Sequence, residues 1–272
     1  MSQSPDHPQR LPLDPSLLAG ELQAEEAPDP LDLLVADLDQ QAAAAPGLSP
    51  PSLDRDAALQ QLLQGDHDTR LQALRLFCEQ REPRAVPALL QVLADPCPIL
   101  RMSAAYALGR TPDDRAVVTV LQRLEADPNG FVRKALAWTA ANFGRPEVVP
   151  ALVRSLAGDI AAVRLMAATS LADACLGLEA QRPEAVMPLI QSLRIDGEPL
   201  VRSNCAWGLG RLHPLLPPAQ AGLVAEALLE ALLQDPDPGV RDDARNALEQ
   251  LEDPEILGRL QTLGDEGLLA WG

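Results

Sequence analysis

A chain of 272 residues is long enough for one or two globular domains, or for one continuous repeat array. Its net charge of −17 argues against binding to nucleic acids or to anionic membrane surfaces, because both require a basic surface. Aromatic residues make up only 3% of the chain, so aliphatic side chains must supply the core. We see no apolar run of membrane-spanning length, no secretory signal and no paired cysteine spacing, and we therefore expect a soluble, cytoplasmic protein.

Residues 1–52 differ from the rest of the chain in charge. They contain nine acidic residues against one base, Arg10, and prolines are scattered among them, which predicts a mostly disordered acidic arm. One stretch near residues 30–40 has apolar residues at the spacing of a short amphipathic helix: Leu31, Leu34, Val35 and Leu38. This stretch is either a cap on the first repeat or a linear motif that binds the groove of a partner.

Residues 53–272 contain a repeated arginine in a similar local context, at intervals of 31, 32, 31, 38 and 39 residues: Arg70, Arg101, Arg133, Arg164, Arg202 and Arg241. An aspartate precedes each of them by four to six residues: Asp66, Asp95, Asp127, Asp159, Asp196 and Asp235. A period in this range indicates a repeat architecture in which each unit buries its apolar face only against its neighbours.

Each repeat is predicted to contain two helices, the second of which starts near the arginine. Three first helices carry a proline that we place in the first turn, where its missing amide costs little: Pro87, Pro150 and Pro188. Three second helices are predicted to end at a left-handed glycine: Gly109, Gly144 and Gly210. The two longer intervals place extra loop residues at 174–182 and 213–220. The predicted fold is an all-α solenoid of about six helix pairs.

The second helices predict a binding surface. Counted from each arginine, positions three, four and seven are apolar or small, so positions two, five and nine lie on the opposite face, which in a two-layer superhelix lines the concave groove. Three of the seven aromatic residues of the chain occupy the fifth position. The predicted partner-binding residues are Tyr106, Arg110, Trp138, Asn142, Trp207 and Arg211. Alternatively, the rings pack between neighbouring second helices and merely fill the groove.

Motifs for catalysis are absent from the sequence. No phosphate loop, nucleophile elbow or zinc motif occurs, and His7, His67 and His213 lack ligand spacing. We therefore predict no catalytic residue and no metal site. Cys97 lies in a predicted turn and is a weak candidate for a reactive or metal-binding thiol.

Several segments resemble the HEAT-repeat proteins of cyanobacteria that interact with the iron–sulfur carrier IscA: residues 30–38, 97–110, 129–138, 159–165 and 201–210. The resemblance implies a HEAT-repeat α-solenoid in which Asp and Arg of adjacent repeats form a ladder. It further implies a non-catalytic scaffold that partners an A-type iron–sulfur carrier in cluster or iron homeostasis. The chain is also similar to subunits of phycobilin lyases, which would make phycobiliproteins its partners. In either case a cluster or bilin would come only through the partner.

Overall fold

The computed structural model describes residues 54–251 and 253–266, and within them the regular structure is helical. Thirteen α helices follow one another in this part of the chain: α1 (Arg55–Gln64), α2 (His67–Glu79), α3 (Val86–Val92), α4 (Pro98–Arg110), α5 (Asp114–Ala126), α6 (Gly130–Ala141), α7 (Val148–Gly158), α8 (Ala161–Gly177), α9 (Arg182–Ile195), α10 (Pro199–Leu212), α11 (Pro218–Gln234), α12 (Pro238–Glu249) and α13 (Pro254–Asp265). The predicted acidic arm and its amphipathic stretch lie outside the described residues.

The helices are arranged as consecutive pairs, from α1 with α2 to α11 with α12, and α13 follows the sixth pair. Each odd-numbered first helix packs on the even-numbered second helix after it, and each pair packs on the next. The predicted all-α solenoid of six helix pairs is thereby confirmed. The extra residues of the two long repeats extend α8 and form short 3-10 helices at Glu179–Gln181 and His213–Leu215.

The proline prediction holds for two of the three positions. Pro87 and Pro150 lie in the first turns of α3 and α7. Pro188 lies inside α9, because that helix begins earlier, at Arg182, where the inserted residues add a turn before the repeated segment.

The core forms between the two helix layers, and small side chains allow the second helices to approach closely. The residues predicted to face it are fully buried: Ala104, Ala105, Leu108, Ala167, Ala168, Leu171, Cys205, Ala206 and Leu209.

Of the three glycines predicted as C-caps, Gly144 has a left-handed backbone with a φ of 61°. The other two predictions are wrong, because Gly109 and Gly210 lie inside α4 and α10. There they provide room for a neighbouring helix, as a Cβ on Gly210 would lie 2.9 Å from that of Ala247.

An Arg–Asp ladder connects the repeats. In the first five second helices, the repeated arginine donates to the aspartate that precedes the next second helix, as in the pair of Arg101 and Asp127, with N–O distances of 2.8 and 2.9 Å. The equivalent pairs have distances of 2.6 to 2.8 Å: Arg70–Asp95, Arg133–Asp159, Arg164–Asp196 and Arg202–Asp235. Arg101 also donates to the carbonyl of Asp95 in its own turn, at 2.9 Å. The ladder implied by the resemblance is confirmed, and four of its arginines each join two consecutive turns: Arg101, Arg133, Arg164 and Arg202.

The ladder predicts how stability depends on pH. Burial raises the pKa values of Asp127, Asp196 and Asp235, but the arginine partners and turn amides outweigh it and hold all three pKa values below their usual range. A carboxylate with a lowered folded-state pKa contributes stability above its unfolded pKa of about 3.9, and this stability disappears as the pH falls through the folded-state value. We therefore expect the urea midpoint to decrease steadily below about pH 4. A midpoint that stays constant from pH 6 to pH 2.5 would contradict the ladder's electrostatic role.

Candidate partner-binding surface

The second helices form the more closely packed layer of the array. Neighbouring second helices pack against each other much more extensively than neighbouring first helices do. The first-helix layer opens instead into clefts, one of about 430 Å³ between α7 and α9 and one of about 340 Å³ between α9 and α11. Because an array of helix pairs curves towards its more closely packed layer, we infer that the free face of the second helices is concave, the kind of surface that repeat proteins commonly use for binding.

Two of the predicted binding residues, Tyr106 and Trp138, lie against each other. Their ring centroids are 5.5 Å apart with an interplanar angle of 53°, an arrangement that is typical of stabilising aromatic pairs. Both side chains are half-buried, and the Trp138 ring covers Gly109, where a Cβ would lie 2.4 Å from the nearest ring carbon. This pair therefore joins α4 to α6, as the alternative interpretation of the aromatic column expected.

Trp207 and Arg211 form the second group, on α10. The Trp207 side chain is 41% exposed, and the guanidinium carbon of Arg211 lies 4.5 Å from the centre of its ring. Arg211 also forms an ion pair with Asp173 of α8. Stacking and pairing together hold the guanidinium over one face of the indole while the rest of the ring stays exposed.

The polar side chains between α8 and α10 are bonded to each other rather than to an open site. Asn204 Nδ2 donates to the hydroxyl of Thr169 at 2.9 Å. Thr169 occupies the aromatic position of its repeat, so a polar segment separates the Tyr106–Trp138 pair from Trp207. The predicted residues thus lie on one surface but in two separate groups.

Arg110 and Asn142 have structural contacts. Arg110 Nε donates to the carbonyl of Cys78 at 3.0 Å, near the end of α2, while the carbonyl of Arg110 accepts from Arg81 Nε at 2.9 Å. Asn142 Nδ2 donates to the carbonyl of Trp138 at 2.9 Å, and this bond caps the C-terminal end of α6. Both side chains are exposed at the rim, and they stabilise helix ends.

One exposed apolar row was missed by the sequence analysis. It lies where first helices turn into second helices, beside the Arg–Asp ladder, and consists of Ile99, Phe131, Ile160 and Leu200, each 42 to 49% exposed. Three of these residues stand two positions before a repeated arginine. Their constant spacing from the arginine is a signal that is visible in the sequence.

Across residues 54–251 and 253–266, no three His, Cys, Asp or Glu side chains are grouped so that they could hold a metal ion, which leaves Cys97 without the partners of a metal site there. None of the helices described combines the length and the apolar character needed to span a bilayer.

Comparison with solved structures gives the same architecture. A designed armadillo repeat protein, YIII(Dq)4CqI, is 19% identical over 73% of this chain and 100% of its own, with a TM-score of 0.51. A related designed armadillo protein in complex with the peptide (KR)4 is 18% identical over 72% of this chain and 98% of its own, with a TM-score of 0.51.

A complex of natural proteins has a similar structure. The complex of CpcE and CpcF of phycocyanin lyase from Nostoc sp. PCC7120 is 23% identical over 76% of this chain and 80% of the matched chain, with a TM-score of 0.51. At these identities the likeness shows the fold alone. Comparison with curated protein sequences gives no match.

The profile of HEAT repeats matches residues 56–139, 117–210, 162–249 and 186–266. Together with the paired helices and the ladder, these matches show that the chain belongs to the HEAT-repeat family.

Proposed function

We propose that this protein is a non-catalytic scaffold that binds a protein partner on the concave surface of its second helices. The observation that carries the proposal is Trp207, whose indole is 41% exposed and stacked by Arg211 at 4.5 Å. Trp and Arg are the residue types that contribute most to binding hot spots, because they combine a large contact area with a polar group.

The charges around Trp207 indicate what a partner would offer. Arg211 is paired with Asp173 across two helices, and both side chains are partly exposed. An incoming carboxylate could replace Asp173 as the partner of Arg211 while an apolar side chain covers the indole. We therefore expect the bound segment to combine an apolar residue with a neighbouring acidic group.

Replacing Trp207 with alanine tests this surface. Trp207 is changed alone, since Trp138 packs on Tyr106 and Gly109 and its removal would disturb the α4–α6 contact. We expect partner affinity to fall by about 30-fold or more, the effect of removing a hot-spot side chain of at least about 2 kcal/mol. Far-UV circular dichroism should stay unchanged, because the side chain is exposed.

The matched control is Phe131→Ala. It removes an aromatic side chain of similar exposure, 45%, from the exposed apolar row beside the Arg–Asp ladder. We expect this variant to bind normally. If Phe131→Ala weakens binding while Trp207→Ala does not, the exposed apolar row is the interface and the concave surface is not. If neither changes the dissociation constant, the partner binds elsewhere and the proposal is wrong.

For the partner, we propose an A-type iron–sulfur carrier such as IscA, which would itself supply the cluster ligands. The resemblance of residues 97–110, 129–138 and 201–210 supports this choice. The test is a titration of the full-length protein with a purified carrier in its apo and cluster-loaded forms. Binding in either form supports a role in cluster or iron homeostasis, and its absence removes the carrier from consideration.

A second candidate is a subunit of a lyase-like assembly that acts on phycobiliproteins. It is supported by the similarity to the CpcE–CpcF complex, which covers 76% of this chain. This function requires a second HEAT-repeat chain, so the two proteins should co-purify when they are co-expressed. Bilin transfer to a phycobiliprotein subunit by that complex would establish it, and would make the protein part of an enzyme. A cytoplasmic location stays a prediction in both cases.

A further inference from the structure

The side chains of Cys97, His67 and Asp68 form a row of interacting groups near the start of the helix array. Cys97 directly precedes α4, and His67 is the first residue of α2 in the preceding repeat. Cys97 Sγ lies 3.5 Å from His67 Nε2, and His67 Nδ1 lies 3.3 Å from Asp68 Oδ1. The His67 side chain is 50% exposed and Cys97 is partly exposed. Reagents in solution can therefore reach the cluster.

The surroundings favour the charged form of this pair. Burial raises the pKa of Cys97, but the amides of Leu100 and Ile99 at the start of α4, together with His67, outweigh it and lower that pKa below its usual value. Hydrogen bonds to Cys97 and Asp68 raise the pKa of His67. Both pKa shifts act in the direction that increases the reactivity of the Cys97 thiol.

The remaining charged groups near Cys97 are already compensated. Asp95 accepts the amide of Cys97 at 2.8 Å, and its carboxylate is paired with Arg70 at 2.7 Å. Arg101 donates to the carbonyl of Asp95 at 2.9 Å and pairs with Asp127. The ladder thus neutralises the carboxylate that would otherwise repel a thiolate at this position.

The other three cysteines provide internal controls. Burial raises the pKa of Cys78 to about 12 and that of Cys175 to about 11, and it also raises the pKa of Cys205. Cys175 and Cys205 are buried in the core. The thiols of Cys78 and Cys175 donate to the backbone carbonyls of Ser103 and Gln181, and burial keeps all three thiols protonated, so each should react slowly.

We propose that Cys97 is a reactive thiol and the site at which low-molecular-weight disulfides modify this protein. The Cys97 thiolate attacks one sulfur of the disulfide, a new S–S bond forms, and the original S–S bond breaks. The departing thiolate takes up a proton from the solvent or from His67. His67 acts as a positioning residue that holds the Cys97 side chain at the start of α4. This proposal is independent of the partner-binding surface.

The test is alkylation of the full-length protein with iodoacetamide from pH 5.5 to pH 9.5, followed by peptide mass spectrometry. We expect Cys97 to react first and its rate to rise at a lower pH than that of free cysteine. In His67→Gln, the rate at pH 6.5 should fall several-fold, because the neutral amide no longer stabilises the thiolate. At pH 9.5, where the thiol is ionised in both proteins, the two rates should converge. A purely structural role of His67 would not produce this pH dependence.

His213→Gln is the matched control and should leave the Cys97 profile unchanged. Incubation with oxidised glutathione should then add one glutathionyl group, on Cys97, and Cys97→Ser should abolish it. The proposal is overturned if Cys97 reacts no faster than free cysteine at pH 6.5, if His67→Gln has the same profile as the unmodified protein, or if the disulfide modifies another cysteine first.

Discussion

Replacing Asp127 with alanine is expected to lower the free energy of unfolding by about 3–5 kcal/mol. The carboxylate is fully buried and accepts from Arg101 Nε and Nη2 at 2.8 and 2.9 Å, and from the amide of Asn129 at 2.9 Å. Its removal leaves the Arg101 guanidinium, whose side chain is only 9% exposed, without its partner. Urea unfolding followed by circular dichroism measures the loss.

The matched control for this variant is Glu125→Ala. Glu125 pairs with Arg154, so it also joins two adjacent repeats through an arginine, but both side chains are more than half exposed. We expect the control to change stability by less than about 1 kcal/mol, because solvent screens exposed ion pairs. Equal effects of the two substitutions would mean that the ladder contributes no more than an ordinary surface ion pair.

Replacing Gly109 with alanine is expected to destabilise the protein by about 1–3 kcal/mol, although alanine is the better helix former. The new Cβ would lie 2.4 and 2.9 Å from two carbons of the Trp138 ring, and that ring also packs on Tyr106, which like Gly109 lies in α4. Either the indole leaves its place or α4 and α6 separate. Thermal unfolding of the variant should show the loss.

Two further substitutions show whether the effect comes from the ring. Gly222→Ala, also inside a helix, has no heavy atom within 4 Å of the new Cβ, and should stabilise the protein by about 0.5–1 kcal/mol. The double variant Gly109→Ala with Trp138→Ala should show a coupling of at least about 0.5 kcal/mol, since the alanine at 109 no longer meets the indole. If Gly109→Ala is as favourable as Gly222→Ala, the aromatic pair does not constrain α4.

Most of the fold was accessible from the sequence because it depends on local spacing. Each repeated arginine marks one helix pair, so counting the arginines counts the pairs, and small residues at positions three and four identify the buried face. The function of Gly109 and Gly210 could not be read in this way. Glycine serves both as a left-handed cap and as a space for a neighbouring helix, and only the position of Trp138 and Ala247 distinguishes the two.

The binding surface was accessible in part. The sequence placed Tyr106, Trp138 and Trp207 in one column, but equal positions in a repeat do not imply equal exposure. Trp138 meets an aromatic neighbour and a glycine on α4, whereas the aromatic position of α8, the second helix before α10, holds Thr169, which is bonded to Asn204, and Trp207 stays exposed. The exposure of an aromatic side chain in this column therefore depends on the residues of the neighbouring repeat that it contacts.

By itself, the sequence determined the helical repeat, the number of pairs and the residues of the ladder, because each follows from periodic spacing within one unit. Only the tertiary structure decided which glycines are contact points, which tryptophan is exposed, and that Cys97 lies 3.5 Å from His67 although 30 residues separate them. These properties arise where one repeat meets the next. The side chain across that interface, and not the local spacing, sets their packing and charge.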